Sequence, residues 1–421
     1  MAADCFTPLT PYEEAREQIL QLVNPLPAEV VDLDVSGGRV SHNNICATND
    51  APPFSQSTMD GYAISTETYR QTNLDPEQVI FSITCEVAAG QVPPNRPIQI
   101  GQAARIFTGA AIPPGANAVV MQEDTTRNGD KVTLHRSVEP FENIRRQGSD
   151  FEKSHTIISA GNPIYPGELS LLATQRLTEI AVHKKPVVAI IPTGDELSPP
   201  GIQDNSPYKI ADSNSQLLRE LVTLSGGIPS LFRPIPDDPE LTEKTLRDAS
   251  QNADLILTTG GASVGDRDYI REIFHRNGEV LLWKVAVKPG KPLLAGTFSE
   301  CPMIALPGNP ASAFVGFHLF AAPTIRKLSG HHRVFPLKLQ VTLAQDVKPL
   351  SIRTHFIRGN IRHEEGMLLA FPKSSQNSGH LLSLVDINAL IEIPPGPAIL
   401  PKGSKVAAQL VSQAAFWQFK V

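Results

Sequence analysis

Residues 258–269 read Thr258-Thr-Gly-Gly-Ala-Ser-Val-Gly-Asp-Arg-Asp-Tyr269, and residues 306–314 read Leu306-Pro-Gly-Asn-Pro-Ala-Ser-Ala-Phe314. Each stretch follows a run of apolar residues that predicts a buried strand, and each opens a helical pattern. Glycines let a ligand approach the backbone closely, and the free N–H groups at a helix start favour negative charge. The two turns therefore predict an α/β fold with an anion site at the carboxyl ends of its strands.

The composition predicts a multidomain globular protein that handles any anion at a local site. The 421 residues are enough for roughly two to four domains, and 41% of them are hydrophobic, which is enough for real cores. Lys and Arg total 37 against 43 Asp and Glu, for a net charge of −6, and both signs are spread along the chain. Because no basic tract is present, we expect neither a nucleic-acid partner nor a membrane partner.

The N-terminal residues lack a charged segment followed by an apolar segment, so we expect no secretory signal and a cytoplasmic protein. The longest apolar stretch, residues 311–325, contains His318 and is too short to span a bilayer, which predicts a buried helix. Cys5, Cys46, Cys85 and Cys301 form no CxxC pair, which disfavours a zinc site or a disulfide framework and predicts reduced, buried thiols.

The pattern of apolar residues changes three times along the chain. An amphipathic helix at residues 11–22 is followed by short β-like runs between residues 51 and 142 and by a helix at 166–175. From residue 186 to 328, strands alternate with helices, which predicts a mainly parallel sheet covered on both faces. Short strands return at 338–343, 355–359, 389–393 and 405–410 and predict a small C-terminal β domain.

Polar residues collect after the strands of the α/β segment. Asp195 and Glu196 follow the first strand and suit a divalent cation, or else they cap the next element. Asp212-Ser-Asn214 and Asp237-Asp238 each precede a helix, so helix capping competes with a ligand or metal role.

The stretch that follows Thr258 combines groups suited to a phosphate or a pterin with two carboxylates. Its hydroxyl and amide groups would receive the ligand, and Asp266 and Asp268 beside a phosphate call for a bridging cation such as Mg²⁺. Lys288-Pro-Gly-Lys-Pro292 holds two ammonium groups on a stiff turn, which suits an oxyanion, although a solvated lysine pair is the common alternative.

Taken together and in this order, the motifs resemble the molybdopterin molybdenumtransferase family, which comprises the MoeA proteins and the E domain of gephyrin. The matching runs extend over nearly the whole chain. They are Ser57-Thr-Met-Asp-Gly-Tyr-Ala63, Thr108-Gly-Ala-Ala-Ile-Pro-Pro-Gly-Ala116, Arg145-Arg-Gln-Gly-Ser-Asp150, Pro192-Thr-Gly-Asp-Glu-Leu197, the stretch 258–269, Lys288-Pro-Gly-Lys-Pro292, Leu306-Pro-Gly-Asn-Pro310 and Gln376-Asn-Ser378.

The resemblance implies the last step of molybdenum cofactor synthesis, in which molybdate is inserted into adenylylated molybdopterin with Mg²⁺ and AMP is released. It implies catalytic roles for Asp60, Glu196, Asp237 and Asp268, the last three also as metal ligands. Molybdate would be bound by Lys288, Lys291, Ser378 and either Arg353 or Arg358. The residues implied in substrate binding are Thr108, Asp150, Thr193, Ser213, Gly260, Gly261, Ser263, Gly308, Asn309 and Ser312.

The resemblance also implies four domains and an elongated homodimer. The domains would be residues 1–50 with 144–184, the β-rich inserted module 51–143, the α/β molybdopterin-binding domain 185–330 and the C-terminal β domain 331–421. The inserted module of one subunit would bring Asp60, Thr108 and Asp150 to the cleft of the other. Transient contacts with the preceding adenylyltransferase and with cofactor-accepting proteins would follow.

Two other functions remain open at this point. The adenylyltransferase of the preceding step has a fold that resembles residues 186–330, but it is a single small domain and this chain has further modules. A non-catalytic molybdopterin-binding or scaffold role, as associated with gephyrin, is linked to domains that this chain lacks.

Overall fold

The structure, a computed structural model, describes residues 9–72, 75, 78–201, 206–261, 269–348, 352–396 and 399–411. Two compact units can be distinguished in it. The larger unit contains residues up to 43, residues 160–165 and everything from 179 onward, and the smaller unit contains residues 44–159 and 166–178. The division into four domains made from the sequence stays a prediction.

Up to residue 183 the chain forms short elements. They are α1 (Tyr12–Gln21), β1 (Ala28–Asp32), β2 (Ile45–Cys46), β3 (Gln56–Ser57), β4 (Gly61–Ile64), α2 (Glu67–Thr72), β5 (Ile80–Val87), β6 (Gln102–Ile106), β7 (Ala118–Met121), β8 (Thr125–Asn128), β9 (Lys131–Leu134), β10 (Ile144–Arg145), β11 (Thr156–Ile158), α3 (Pro166–Thr174) and β12 (Glu179–His183).

The remaining elements make up the rest of the larger unit. They are β13 (Val187–Pro192), β14 (Leu197–Ser198), β15 (Ile210–Ala211), α4 (Asn214–Leu224), β16 (Ile228–Leu231), α5 (Pro239–Ser250), β17 (Leu255–Thr259), α6 (Tyr269–Asn277), β18 (Gly278–Trp283), β19 (Val287–Lys288), β20 (Leu294–Phe298), β21 (Cys301–Leu306), α7 (Pro310–Gly316), α8 (Ala322–Leu328), β22 (Lys338–Leu343), β23 (Thr354–Glu364), β24 (Met367–Pro372), β25 (Ala389–Ile393) and β26 (Lys405–Leu410).

A six-stranded sheet in the order β16-β13-β17-β21-β20-β18 forms the centre of the larger unit. The first four strands are mutually parallel, and β20 pairs antiparallel with both of its neighbours, β21 and β18. Alternate residues of the inner strands enter two cores, so that Ile190 packs with α4 and α7 on one face while Ile191 packs with α5 and α6 on the other. The predicted α/β domain with a mainly parallel sheet covered on both faces is confirmed.

The helix after β21 is buried, as residues 311–325 predict. It runs from α7 to α8 through a π-helical segment, Phe317–Ala321, and Phe317 and Phe320 are almost fully buried. No helix among the described residues is long and apolar enough to cross a membrane.

A second six-stranded sheet, in the order β19-β23-β24-β22-β26-β25 and with a further pairing between β23 and β25, forms the predicted C-terminal β domain. The lysine-bearing strand β19 joins this sheet through β23, with Lys288 opposite His355. The C-terminal strands therefore meet the strand ends of the α/β sheet, and this register positions the site described below.

The smaller unit is β-rich, as predicted for the inserted module. Its main sheet has the order β7-β4-β6-β5-β9-β8, and a small core around Phe81 and Val120 packs against one face of the sheet. Gly61 in β4 has no room for a side chain, because a Cβ there would lie 1.8 Å from the Val120 carbonyl oxygen.

Two predictions from the sequence are wrong in detail. Cys301 is buried and Cys85 is half-buried, but Cys46 is exposed, because the two-residue strand β2 pairs only with β11 and turns one face outward; Cys5 lies outside the described residues. The apolar run of residues 280–287 predicts a single strand from the sequence, but it forms two, β18 and β19, because Lys284 adopts a positive φ of 69° and interrupts the extended backbone.

Candidate functional site

The carboxyl ends of three neighbouring parallel strands meet at one edge of the α/β sheet. β13 leads into Thr193, β17 into Gly260 and β21 into Pro307. Backbone bonds connect the turns, from Thr193 N–H to the Thr259 carbonyl at 2.9 Å and from Gly260 N–H to the Leu306 carbonyl at 3.2 Å. The turns therefore form one continuous surface, as expected for a ligand site in this class of sheet.

A cavity of about 780 Å³ opens beside these turns, and both charged side chains in its described lining are acidic. We call it the carboxylate cavity. Its lining comprises Glu196, Leu197, Ile210, Ala211, Asp212, Ser213, Asn214, Gly260, Gly261, Pro292, Pro307, Gly308, Asn309, Pro310, Gly379 and Leu381. Of the residues implied by the resemblance, it brings together Glu196, Ser213, Gly260, Gly261, Gly308 and Asn309.

One buried polar atom in the carboxylate cavity lacks a hydrogen-bond partner among the described residues. Asn214 donates from Nδ2 to the Gly308 carbonyl at 2.7 Å, but its Oδ1 atom accepts no hydrogen bond from the described residues. The Glu196 carboxylate folds back over Gly194, where a Cβ would lie 2.4 Å from Glu196 Oε2. A buried acceptor without a donor is costly, so the cavity favours a ligand that donates or a cation that bridges.

The carboxylates near this cavity suit Mg²⁺ only as partial ligands. Asp238 is the N-cap of α5 and accepts from Leu241 N–H at 2.8 Å, and the neighbouring Asp237 donates from its N–H to Asp195 Oδ1 at 3.0 Å. Among the described residues, no group of three or more His, Cys, Asp or Glu side chains is placed to hold a metal ion. Mg²⁺ commonly takes one or two protein carboxylates and completes its shell with water and substrate phosphate, which fits this arrangement.

A second cavity of about 430 Å³ adjoins the first, and all charged side chains in its described lining are cations. We call it the cation cavity. Its lining comprises Lys288, Pro289, Gly290, Lys291, Pro292, Pro307, Asn309, Ser312, Arg353, Gln376, Asn377 and Ser378. It contains the implied molybdate ligands Lys288, Lys291, Arg353 and Ser378, together with Ser312.

The cation cavity forms where the α/β sheet meets the C-terminal sheet. Pairing of β19 with β23 brings Lys288 beside Arg353, whose Nη1 donates to the Val287 carbonyl at 3.2 Å. Ser378 is fixed to the start of α7, because its carbonyl accepts from Ala311 N–H at 3.0 Å. Three cations and several hydroxyl and amide groups around a small volume suit a tetrahedral oxyanion.

His355 lies between the cations without a hydrogen-bond partner of its own. It is 7% exposed, and neither ring nitrogen bonds to any described residue. Burial is the main cause that lowers the pKa of His355 to about 4, and the charges of Lys288, Arg358 and Arg353 contribute to this shift in that order. The imidazole is therefore neutral at pH 7 and leaves the positive charge of the site to the lysines and arginines.

Arg358, the second arginine considered for molybdate, is not in the lining of the cation cavity. Its side chain is fully buried behind the loop of residues 373–384 and contacts that loop from within. The sequence could not separate Arg353, which directly precedes β23, from Arg358 within that strand, because only the fold shows which of them faces a cavity.

The implied residues of the inserted module lie in the smaller unit. Asp60 Oδ1 accepts from Thr108 N–H at 2.7 Å and from Thr108 Oγ1 at 2.8 Å, and these hydrogen bonds lower the pKa of Asp60. Asp150 forms an ion pair with Arg145. Asp60 is thus held ionised with one oxygen still able to accept.

The set of residues that line the two cavities differs from the set predicted from the sequence. Thr193 is buried and donates from Oγ1 to the Thr259 carbonyl at 3.3 Å, so it connects two turns without lining either cavity. Ser263 and Asp268 lie outside the described residues. Asp212 and Asn214, for which the sequence left helix capping and a ligand role open, line the carboxylate cavity, and Asp212 also caps α4 by accepting from Ser215 N–H at 3.0 Å. Gln376 lines the cation cavity without having been assigned a role from the sequence.

Comparisons with known proteins agree with this arrangement. Residues 10–175 match the family described as the MoeA N-terminal region (domain I and II), residues 189–327 match "Probable molybdopterin binding domain", and residues 340–411 match the MoeA C-terminal region (domain IV). The chain is 34% identical to a molybdopterin molybdenumtransferase of Nostoc sp. over 95% of its own length and 94% of the relative's.

Two further relatives cover the whole chain. A molybdopterin molybdenumtransferase of Staphylococcus epidermidis is 31% identical over 99% of both chains. A solved structure, that of the molybdopterin biosynthesis MoeA protein of Pyrococcus horikoshii, is 31% identical with a TM-score of 0.82 and covers 96% of this chain and 100% of that one. The family models, the curated relatives and the solved structures all point to the same family.

Proposed function

We propose that this chain, which belongs to the molybdopterin molybdenumtransferase (MoeA) family, inserts molybdate into adenylylated molybdopterin with release of AMP. The observation that carries the proposal is the pair of adjoining cavities of opposite charge. They share Pro292, Pro307 and Asn309 in their linings, so one ligand extending past Asn309 reaches both. A free oxyanion suits the cation cavity directly, and a pyrophosphate that shares a bridging cation with the carboxylates suits the carboxylate cavity.

In the proposed reaction, the cation cavity holds molybdate. Lys288, Lys291 and Arg353 supply positive charge to its oxygens, and the Ser378 hydroxyl donates a hydrogen bond. Because charge-assisted hydrogen bonds between two ions are the strongest of these contacts, the two lysines and Arg353 account for most of the affinity. The anion is thereby held where the dithiolene of the bound substrate can reach it.

The carboxylate cavity holds the pyrophosphate and the adenylyl end. Glu196 and Asp237, with Asp268, would hold Mg²⁺, which when bound supplies charge neutralisation at the phosphates. The backbone of Gly260 and Gly261 lets the phosphates approach, since side chains are absent there. Water then cleaves the pyrophosphate bond and AMP leaves. Molybdopterin stays bound, and its dithiolene receives molybdenum from molybdate.

The proposed enzyme acts as a homodimer in the cytoplasm. Asp60, Thr108 and Asp150 of one subunit complete the cleft of its partner, and the ionised Asp60 offers a fixed negative charge there. Adenylylated molybdopterin is received from the adenylyltransferase, and the product passes to cofactor-accepting proteins.

The test supplies purified protein with adenylylated molybdopterin, molybdate and Mg²⁺ and measures AMP together with the active cofactor. We expect both products, and we expect both to fall when Mg²⁺ is chelated. If the complete mixture yields neither AMP nor the active cofactor, the proposal is excluded. A product formed from molybdopterin and ATP instead would identify an adenylyltransferase.

A further inference from the structure

A third cavity, of about 620 Å³, is formed by the loop of residues 373–384 alone. We call it the loop cavity, and its described lining comprises Lys373, Ser374, Ser375, Gly379, His380, Leu381, Leu382 and Ser383. Gly379 and Leu381 also line the carboxylate cavity, so the two cavities adjoin. The function proposed above makes no use of the loop cavity.

The loop cavity carries exposed apolar side chains. Leu381 and Leu382 belong to one 3-10 turn, Leu381–Leu384, and are 50% and 83% exposed. Val385 directly follows this turn, donates from its N–H to the Leu382 carbonyl at 3.3 Å and is 52% exposed. No described residue buries these three side chains. Adjoining apolar side chains in contact with water are unfavourable and commonly mark a binding surface.

The described part of the chain ends close to this surface. Val411 follows β26 and donates from its N–H to the Asn388 carbonyl at 2.9 Å. Asn388 lies three residues after Val385, a stretch of chain that spans at most about 11 Å. Val411 also packs against the same hydrophobic core as Leu384, the last residue of the turn. Residues 412–421 therefore begin beside the exposed leucines and, at full extension, reach about 35 Å from Val411.

Residues 412–421 have a composition that favours packing over solvation. Their sequence is Ser412-Gln-Ala-Ala-Phe-Trp-Gln-Phe-Lys-Val421. Three of these ten residues are aromatic, whereas aromatic residues make up 6% of the whole chain, and Lys420 is the only charged side chain among them. Segments that stay in solvent are poor in aromatic residues and rich in charge, so this segment calls for an apolar surface on which to dock.

We propose that residues 412–421 dock on the loop cavity of their own chain and cover its exposed leucines with their aromatic side chains. Lys373 in the lining supplies a cation that the face of an indole ring attracts, which favours Trp417 as the residue that enters the cavity. The docked segment restrains the loop, other residues of which line the carboxylate and cation cavities. The inference needs no substrate and is independent of the proposed reaction.

Trp417 reports its own docking once the other tryptophan of the chain is removed. Trp283→Phe keeps an aromatic ring between Arg271 and Lys284, whose charged groups lie 3.7 and 3.6 Å from the centre of the Trp283 ring. In this full-length background we expect the fluorescence of Trp417 to be shifted to the blue and weakly quenched by acrylamide.

Leu382→Gln, added to this background, should shift the emission to the red and raise the quenching constant several-fold, because apolar contact area is lost. Leu224→Gln makes the same change at an exposed leucine on the last turn of α4 and should leave both values unchanged. Leu337→Gln tests the other exposed leucine within reach, since Leu337 precedes Lys338, which pairs with Gln409 in β26. It too should leave the emission unchanged.

A chain that stops after Val411 gives a second measurement, which needs no tryptophan. We expect the amides of residues 376–384 to exchange with deuterium several-fold faster in this chain than in the full-length protein, because the loop has lost a restraint. The amides of α4 should exchange at the same rate in both. Mass spectrometry of peptic peptides measures the rates.

Red, freely quenched emission from Trp417 in the Trp283→Phe protein would overturn the inference. An effect of Leu337→Gln that equals or exceeds that of Leu382→Gln would place the segment on another surface and overturn it as well. Emission that turns red on dilution would show docking on a second copy of the chain instead of its own. Loop amides that exchange equally fast with and without residues 412–421 would show that the segment does not restrain the loop.

Discussion

The three charged residues that line the cation cavity are buried to different extents. They are Lys288, Lys291 and Arg353. Lys288 is half-buried on β19 and Arg353 is half-buried just before its partner strand β23, whereas Lys291 is exposed at the end of the Pro-Gly turn. An exposed lysine contributes through its charge rather than through packing. Its replacement therefore tests the electrostatic part of anion binding with little effect on the fold.

We expect Lys291→Gln to weaken molybdate binding about ten- to hundredfold, the range for loss of one hydrogen bond to a charged group. Calorimetric titration with molybdate measures the effect, and the melting temperature should change by no more than a degree or two. Lys244→Gln makes the same change of charge on the exposed face of α5 and serves as the control. An equal loss of affinity in both variants would mean that only the net charge of the protein matters.

The partly buried His331 makes the stability of the protein depend on pH. Burial lowers the pKa of His331 to about 4, with the Arg326 charge as the next cause, whereas the ordinary value is 6.5. Between pH 6.5 and 4 the unfolded chain binds a proton that the folded chain does not bind, so the free energy of unfolding falls as the pH falls. For a shift of this size the loss approaches about 3 kcal/mol at pH 4, and none is expected above pH 7.

Removing this histidine should flatten that dependence. We expect the melting temperature of His331→Gln to fall less between pH 7 and pH 4.5 than that of the wild type. His363→Gln, at an exposed position of β23, should keep the wild-type slope. Equal slopes in all three proteins would show that His331 is protonated freely in the folded state.

At the scale of elements, two glycines of the carboxylate cavity serve different purposes. Gly260 has a φ of 89°, and a Cβ there would lie 2.5 Å from the Thr193 carbonyl oxygen. Gly308 meets nothing closer than 3.6 Å, at the Cα of Gly260. The first glycine permits two turns to approach each other, whereas the second leaves room for a ligand.

We therefore expect Gly260→Ala to destabilise the protein by about 2 kcal/mol or more, from a left-handed backbone and a clash with main chain that cannot rotate away. Gly308→Ala should melt within a degree or two of the wild type. Thermal unfolding of the two variants under one condition measures the difference. If both variants melt at the same temperature, the turns after β13 and β17 can move apart to admit the new methyl group without loss of stability.

Periodicity predicts the elements of this chain better than it predicts their partners. The helices at 11–22 and 166–175 and the strand at 338–343 lie within a residue or so of α1, α3 and β22. Strand β24 was not among the strands predicted from the sequence, because its leucines, methionine and alanine favour no extended structure by themselves and pairing with β23 places them. Pairing between distant strands is a tertiary contact, and local patterns do not encode it.

The same limit applies to the site. The carboxylates and lysines after strands were predicted as candidates, because each lies in a recognisable local pattern. Gln376 acts through a hydrogen bond to the backbone of a strand that is distant from it in sequence. Asp212 has the sequence pattern of an ordinary helix cap. Roles that depend on a distant neighbour required the fold.

At the scale of the whole molecule, the residues implied for one active site are divided between two units of the chain. Lys291 and Arg353 belong to the larger unit, and Asp60 and Asp150 belong to the smaller one. In a symmetric dimer each cleft can take its larger-unit residues from one subunit and its smaller-unit residues from the other. Such a division predicts complementation between inactive variants.

Chains carrying Asp60→Asn and chains carrying Lys291→Gln should each lose most activity as pure dimers and regain it after mixing. Random reassortment makes half of the dimers mixed, and one of the two clefts in each mixed dimer is then intact, so AMP release should return to about a quarter of the wild-type rate. Mixing Lys291→Gln with Arg353→Gln is the control and should restore nothing, since both residues line the same cavity of one chain. If the first mixture also stays inactive although the subunits have exchanged, Asp60 acts within its own chain or not at all, and the division of the cleft between subunits is wrong.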